Sequence, residues 1–301
     1  MNIIKKAIIP VAGKGSRMHP ATHFMPKVLL PICNKPVILF LLEELFDANI
    51  KDVYFIINKE QTYLISLLKP LYEDESLNNL LSYFNFHYTI QNDQEGLAKA
   101  IYLLKDEINE PFALLLSDNI ILPVKKGIQK LINYYYDIKC NIVGITKVNE
   151  ADISKYGMIE SSNYVEPIYV ERFVEKPTHS NSKHACFGRY ILSPSIFTHI
   201  EKDIKNTYEL LLPNYIIKDK TYACVLGDNC LDVGTIKDYV DANNEYFKYI
   251  KSWYRLWYQL YFISFQRLHD NLHFLLGVLN ILDLGTLFSL PHLKALQQVL
   301  N

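Results

Sequence analysis

Two glycines directly after an apolar run, with an arginine just beyond and a lysine ten residues further on, are the groups in this sequence best suited to hold a polyphosphate. The segment reads Ala7-Ile-Ile-Pro-Val-Ala12-Gly13-Lys-Gly15-Ser-Arg17, followed by Pro26-Lys27 and Lys35-Pro36. Glycines at the end of a strand let backbone N–H groups come close to phosphate oxygens, and a following helix would add its positive end. Arg17 offers a planar fork of donors and Lys27 a second point charge. The pattern is not a P-loop, which needs G-x-x-x-x-G-K-[ST]. It is not the dinucleotide fingerprint either, because Met18 stands where the third glycine would be.

Further polar residues stand where apolar runs end. Ser117-Asp118-Asn119 closes the run Phe112–Leu116, Glu175-Lys176-Pro177 closes Phe173-Val174, and Asp232 lies in Leu231-Asp-Val-Gly234. Open α/β sheets place ligand-binding groups at such strand ends. Taken singly, each has an ordinary reading: Gln91 as a strand-end residue, Asp118 as a cap, Asp232 as a turn residue, Glu175 and Lys176 as solvated surface.

The elements that must position these residues follow from apolar spacing. Ala7–Ala12, Val53–Ile57, Phe86–Ile90 and Phe112–Leu116 are compact apolar runs that suit buried strands. Val37–Ala48 has helical spacing, with Leu41, Leu42, Leu45 and Phe46 on one side and Glu43, Glu44 and Asp47 elsewhere. A second helix is expected from Gly96 to Leu104. Strand alternating with helix predicts an α/β, Rossmann-like, doubly wound mixed sheet. Beyond residue 140 the strand-like runs Asn141–Lys147, Met158–Glu160, Tyr169–Val174 and Cys186–Leu192 crowd together, as antiparallel or mixed additions that cover the open end of the sheet.

Bulk properties narrow the classes. With 301 residues, 50% hydrophobic and 21% charged, the chain is globular, with a large core. A net charge of −1 leaves no general footprint for a nucleic-acid backbone, so a few placed cations must meet any anionic ligand. Cys33, Cys140, Cys186, Cys224 and Cys230 show neither C-x-x-C nor zinc-ligand spacing and are expected to be reduced thiols. The N-terminal apolar run is too short for a signal peptide, which points to a cytoplasmic protein.

Residues 6–38 resemble the opening of bacterial UTP–glucose-1-phosphate uridylyltransferases (UDP-glucose pyrophosphorylases), in the sugar-1-phosphate nucleotidyltransferase family. The resemblance rests on Ile9-Pro-Val-Ala-Gly-Lys-Gly-Ser-Arg17, Pro20-Ala-Thr22, Pro26-Lys27, Leu30-Pro31 and Lys35-Pro36. It continues through Gln91, Glu95-Gly-Leu-Ala98, Lys155-Tyr-Gly-Met158, Phe173-Val-Glu-Lys-Pro177, Phe187-Gly-Arg-Tyr190, Glu209-Leu-Leu-Leu212 and Leu231-Asp-Val-Gly234. It implies a fold of the glycosyltransferase-A-like type and transfer of a uridylyl group from UTP to glucose 1-phosphate.

By that resemblance, Ala12, Gly13, Gly15, Gln91 and Gly96 bind the nucleotide. Arg17 and Lys27 serve the triphosphate, and Lys176 the sugar phosphate. Gly157, Glu175 and Gly188 serve the sugar, and Asp118 with Asp232 hold Mg²⁺. Ser16 for Thr, Lys99 for His, Leu211 for Gln and Asn214 for Asp depart from the family pattern without removing a proposed phosphate or metal group. Asp118-Asn119 and Leu231-Asp-Val-Gly-Thr235 leave a dTTP-dependent thymidylyltransferase as the nearest rival. A non-catalytic sugar-nucleotide-binding subunit would be favoured by loss of Lys27, Asp118 or Asp232, and all three are present.

Residues 1–244 are read as the catalytic domain. Residues 245–301, rich in aromatics and then in leucine, are read as a helical extension that packs on the domain or forms a homo-oligomer. Asn271–Leu290 raises the question of a membrane, but His273, Asp283, Gly277 and Gly285 weigh against a spanning helix, leaving peripheral contact as the second reading.

Overall fold

Short apolar runs ending in glycine or polar residues become strands, and runs with 3.6-residue spacing become helices. The computed structural model describes residues 4–69, 72–92, 96–122, 127–205, 210–227 and 229–251. The strands are β1 (Lys6–Pro10), β2 (Pro31–Ile32), β3 (Lys35–Pro36), β4 (Asp52–Ile57), β5 (Asn85–Ile90), β6 (Phe112–Leu115), β7 (Asn119–Ile121), β8 (Asn141–Lys147), β9 (Gly157–Glu160), β10 (Ile168–Tyr169), β11 (Arg172–Glu175), β12 (His184–Leu192), β13 (Thr221–Val225) and β14 (Cys230–Asp232). The helices are α1 (Ala21–Phe24), α2 (Val37–Asp47), α3 (Leu64–Leu67), α4 (Glu75–Ser82), α5 (Leu97–Tyr102), α6 (Ile128–Ile138), α7 (Ser195–Glu201) and α8 (Pro213–Ile216).

The main sheet runs β10-β13-β8-β12-β6-β1-β4-β5, with β9 and β11 branching from β12. Strands β5, β4, β1 and β6 are parallel, so the doubly wound, mixed-sheet expectation holds. The later strands do something different from what their crowding suggests. Three of them extend the sheet instead of capping it: β12 lies antiparallel between β6 and β8, and β13 runs parallel to β8. The run Tyr169–Val174 is also two strands, with β10 on β13 and β11 on β9.

Alternation along the central strands divides the core between the two faces. Ala7, Ile9, Val53 and Phe55 pack with residues of α2 and α6, whereas Ile8, Tyr54, Ile56 and Leu114 pack with residues of α5 and α7. Chain contacts divide the molecule into a unit of residues 1–245 and a unit of residues 246–301. Among the described residues no helix is long and apolar enough to cross a membrane. The leucine-rich tail, including Asn271–Leu290 and any part it has in a homo-oligomer, lies outside the described residues, as do Glu95 and Glu209.

Helix α2 corrects one assignment made from spacing. Phe46 is 42% exposed, while Glu44 is buried at 2%. The reason is a partner far away in the chain. The Glu44 carboxylate receives Arg189 Nε at 3.0 Å and Arg189 Nη2 at 2.8 Å, and also accepts Ile128 N–H at 2.6 Å. Arg189 is itself 1% exposed. Gly127 completes the pocket, because an ideal Cβ there would sit 2.0 Å from Glu44 Oε1. Removing one partner of such a pair leaves a buried charge unmatched. Glu44→Ala is therefore expected to lower stability by about 3–5 kcal/mol in urea unfolding; a loss under about 1 kcal/mol would contradict this account of the pair.

Candidate active site

At the C-terminal ends of β1, β5 and β6 the chain opens a cleft, and two adjoining compartments share Arg17, Leu97, Leu116 and Asp118. The first compartment holds Ala12, Gly13, Gly15, Arg17, Lys27, Gln91, Gly96 and Asp118. The second holds Gly157, Glu175, Lys176, Gly188 and Asp232 together with Arg17 and Asp118. The thirteen residues given binding, catalytic or metal roles from the sequence therefore line these two adjoining compartments.

In the glycine loop, Gly15 takes a left-handed conformation with φ +63°, and its carbonyl accepts Met18 N–H at 2.8 Å and Thr22 Oγ1–H at 2.8 Å. A Cβ on Gly15 would meet Thr22 Cγ2 at 2.9 Å, whereas a Cβ on Gly13 would find nothing within 4 Å. Gly15 thus shapes the turn, and Gly13 keeps open the space in front of the backbone. The helix expected after the loop is short and broken: a single 3-10 turn at Ser16–Met18 and the four-residue α1 follow, with Pro20 at the boundary. An anion at this loop would meet loop N–H groups and side-chain cations rather than a helix macrodipole. Lys35 is used elsewhere, pairing with Glu43 and lying 4.5 Å from the centre of the Phe40 ring.

The two aspartates meet because of a small ladder that spacing could not reveal. Strand β14 pairs antiparallel with β7, setting Asp232 opposite Asn119, and Val233 N–H donates to the Asp118 carbonyl at 2.8 Å. Asp232 Oδ1 accepts Gly234 N–H at 2.6 Å, and the carboxylate also receives the Tyr156 hydroxyl. Burial, then the negative charge of Asp118, pushes the Asp232 pKa up, although the Tyr156 and Gly234 hydrogen bonds oppose this. For Asp118, burial pushes the other way from its neighbours, but the Lys27 ammonium 3.1 Å from Oδ2, with Arg17, holds its pKa below the ordinary value. Burial and the Asp232 charge raise the Tyr156 phenol in turn.

The far compartment is built on the β9–β11 hairpin, in which Gly157 faces Glu175 across the ladder. A Cβ on Gly157 would come within 2.5 Å of Phe173 Cε2 and 3.0 Å of Glu175 Oε2. Lys176 has φ +44°, a left-handed backbone for a non-glycine residue, and its N–H donates to the Tyr156 carbonyl at 3.1 Å. Its ammonium lies 3.6 Å from Glu175 Oε1, with the side chain half exposed. Cys186 and Tyr190 form part of the wall, and burial pushes the Cys186 thiol up to about 12, so it stays protonated and inert.

Residues given no role from the sequence complete the rim. Lys155 bridges Asp152 at 2.9 Å and Asp238 at 3.2 Å, and Asp238 N–H is capped by Thr235 Oγ1 at 3.2 Å. The signal was available: Thr235-Ile-Lys-Asp238 is a capping sequence just after the glycine of Leu231-Asp-Val-Gly234.

The sequence pattern of the family described as nucleotidyl transferase matches residues 6–248. This chain belongs to that family. It is 36% identical over 244 residues to UTP–glucose-1-phosphate uridylyltransferase 1 of Staphylococcus saprophyticus, covering 75% of this chain and 85% of that protein. It is 35% identical over 268 residues to a UTP–glucose-1-phosphate uridylyltransferase of Staphylococcus epidermidis, covering 82% and 93%. A crystal structure of a UDP-glucose pyrophosphorylase complexed with UDP-glucose matches with a TM-score of 0.74 and 30% identity, covering 81% of this chain and 99% of that one.

The contacts at Gly157 give a direct test of how tightly this nucleotidyl transferase's hairpin is built. Gly157→Ala is expected to cost about 1–3 kcal/mol through overpacking against Phe173, read as a lower unfolding midpoint. An unchanged midpoint would mean the hairpin has room that these distances deny.

Proposed function

We propose that this chain transfers the uridylyl group of UTP to glucose 1-phosphate, forming UDP-glucose and releasing pyrophosphate. The observation that carries this reading is the continuity of the cleft: a glycine loop with Arg17 and Lys27 on one side, Glu175 and Lys176 on the other, and Asp118 in the part common to both. The activity named for the Staphylococcus relatives supports it, as does the UDP-glucose held by a structural relative.

In this reading an ionised oxygen of the sugar phosphate attacks the α-phosphorus of UTP. A new P–O bond forms as the bond to the β-phosphate oxygen breaks, and pyrophosphate leaves with that electron pair. The nucleophile is already ionised at neutral pH, so no protein base is needed, and the chain's work is alignment and neutralisation of charge. Ala12, Gly13 and Gly15 present loop backbone to the nucleotide, Gln91 and Gly96 meet the base, and Arg17 and Lys27 serve the triphosphate. Lys176 holds the sugar phosphate, and Glu175 accepts hydroxyls of a sugar seated against Gly157 and Gly188.

Asp118 and Asp232 would hold Mg²⁺. Their hard oxygens suit that ion, and a cation would offset both causes that raise Asp232, its burial first and then the negative charge of Asp118. Among the described residues no group of three or more His, Cys, Asp or Glu is arranged to hold a metal. Such a sparse donor set fits an ion that takes its remaining ligands from substrate phosphates and water. Bound there, Mg²⁺ would supply charge neutralisation on the phosphates.

The test is a pyrophosphate-release assay crossing UTP and dTTP with glucose, galactose and N-acetylglucosamine 1-phosphates, run on wild type and Asp118→Asn. Wild type is expected to turn over UTP with glucose 1-phosphate fastest, and Asp118→Asn to lose at least about 100-fold, of the order seen when a charge-stabilising group is removed, while keeping its far-UV circular dichroism. Preference for dTTP would overturn the base assignment, and near-normal turnover of Asp118→Asn would overturn the metal assignment.

A further inference from the structure

We infer that Arg189 is a positioning residue for the catalytic loop, setting the place of Asp118 through backbone contacts on both sides of it. The metal arm of this inference rests on the assignment of Asp118 and Asp232 proposed above; the turnover arm does not.

An arginine guanidinium has five N–H donors in a rigid fork. Here Nε and one Nη2 hydrogen engage the Glu44 carboxylate at 2.8–3.0 Å. The others go to main-chain oxygens: Nη2 to Asn119 O at 2.9 Å, and Nη1 to Gly188 O at 3.2 Å and Leu116 O at 3.4 Å. Leu116 and Asn119 bracket the Ser117-Asp118 turn, so one planar group grips both flanks of the segment that carries the carboxylate. Gly188 shares in this grip. It has φ +58° in the irregular stretch of β12, its carbonyl accepts Leu116 N–H at 2.9 Å, and an ideal Cβ there would lie 2.3 Å from Asn119 Oδ1.

A buried ion pair is a poor way to gain stability, since well-packed apolar residues of similar volume often serve as well or better. What apolar residues could not supply is the set of donors to three carbonyls beside the reacting centre. Outer groups that orient a metal-binding carboxylate typically alter metal affinity or activity by about 10–100-fold when removed. Lysine at position 189 would keep the charge opposite Glu44 but lose the fork.

The experiment measures kcat, KM and Mn²⁺ affinity for wild type, Arg189→Lys and the double variant Glu44→Leu/Arg189→Met, all well below their unfolding midpoints. Mn²⁺ binding is read by calorimetry without substrates. Both variants are expected to lose about 10-fold or more in kcat and to bind Mn²⁺ about 10-fold more weakly, with KM for either substrate within about threefold. Wild-type kcat and Mn²⁺ affinity in whichever variant folds would overturn the inference, and failure of both to fold would overturn it too, since it would make the pair a requirement of folding. Absence of Mn²⁺ binding by wild type would count against the metal assignment instead, leaving the kcat comparison to decide the role of Arg189.

Discussion

The short β7–β14 ladder is the constraint on which the cleft depends. Strand β7 follows Asp118 directly and β14 ends in Asp232, so pairing Asp232 with Asn119 brings together two carboxylates from opposite parts of the chain. Two like charges held close disfavour each other, and the structure manages this unequally. Asp118 is offset by Lys27 and Arg17, whereas Asp232 has a tyrosine hydroxyl and a backbone N–H. In the proposed reading, a divalent cation placed between them would relieve that repulsion.

Around that pair, missing side chains matter as much as present ones. Gly13 leaves open the face toward which a phosphate would come, Gly157 makes room for Phe173 and Glu175, and Gly188 lets Asn119 close on β12. The buried Glu44–Arg189 fork then ties α2, β12, the Asp118 turn and the start of α6 to one point. Sequence, local backbone and packing therefore converge on the same few residues, and the main sheet serves as the frame that holds them.

Much of this was legible before the structure. The parallel half of the sheet followed from β1, β4, β5 and β6, whose apolar runs are short, compact and separated by helical spacing. The glycine loop, Asp118 and Glu175-Lys176 could be picked out because each stands where an apolar strand stops. What stayed hidden was tertiary. Helical periodicity assigns a glutamate to solvent, and nothing local to α2 announces that Glu44 has Arg189 waiting across the core. The ladder joining Asp118 to Asp232 was likewise invisible to periodicity, because β7 and β14 are three residues each and their pairing is non-local. Strand β12 joined the sheet rather than covering its end because its own alternation could not say which neighbours it would take.

The central claim is that a divalent cation sits between Asp118 and Asp232 beside the sugar nucleotide. The most direct measurement is an anomalous difference map from crystals grown with Mn²⁺ and UDP-glucose. The account predicts one strong peak bonded to carboxylate oxygens of both aspartates and to a phosphate oxygen of the ligand. A peak held by other side chains, such as Asp152 and Asp238, with none between Asp118 and Asp232, would contradict it.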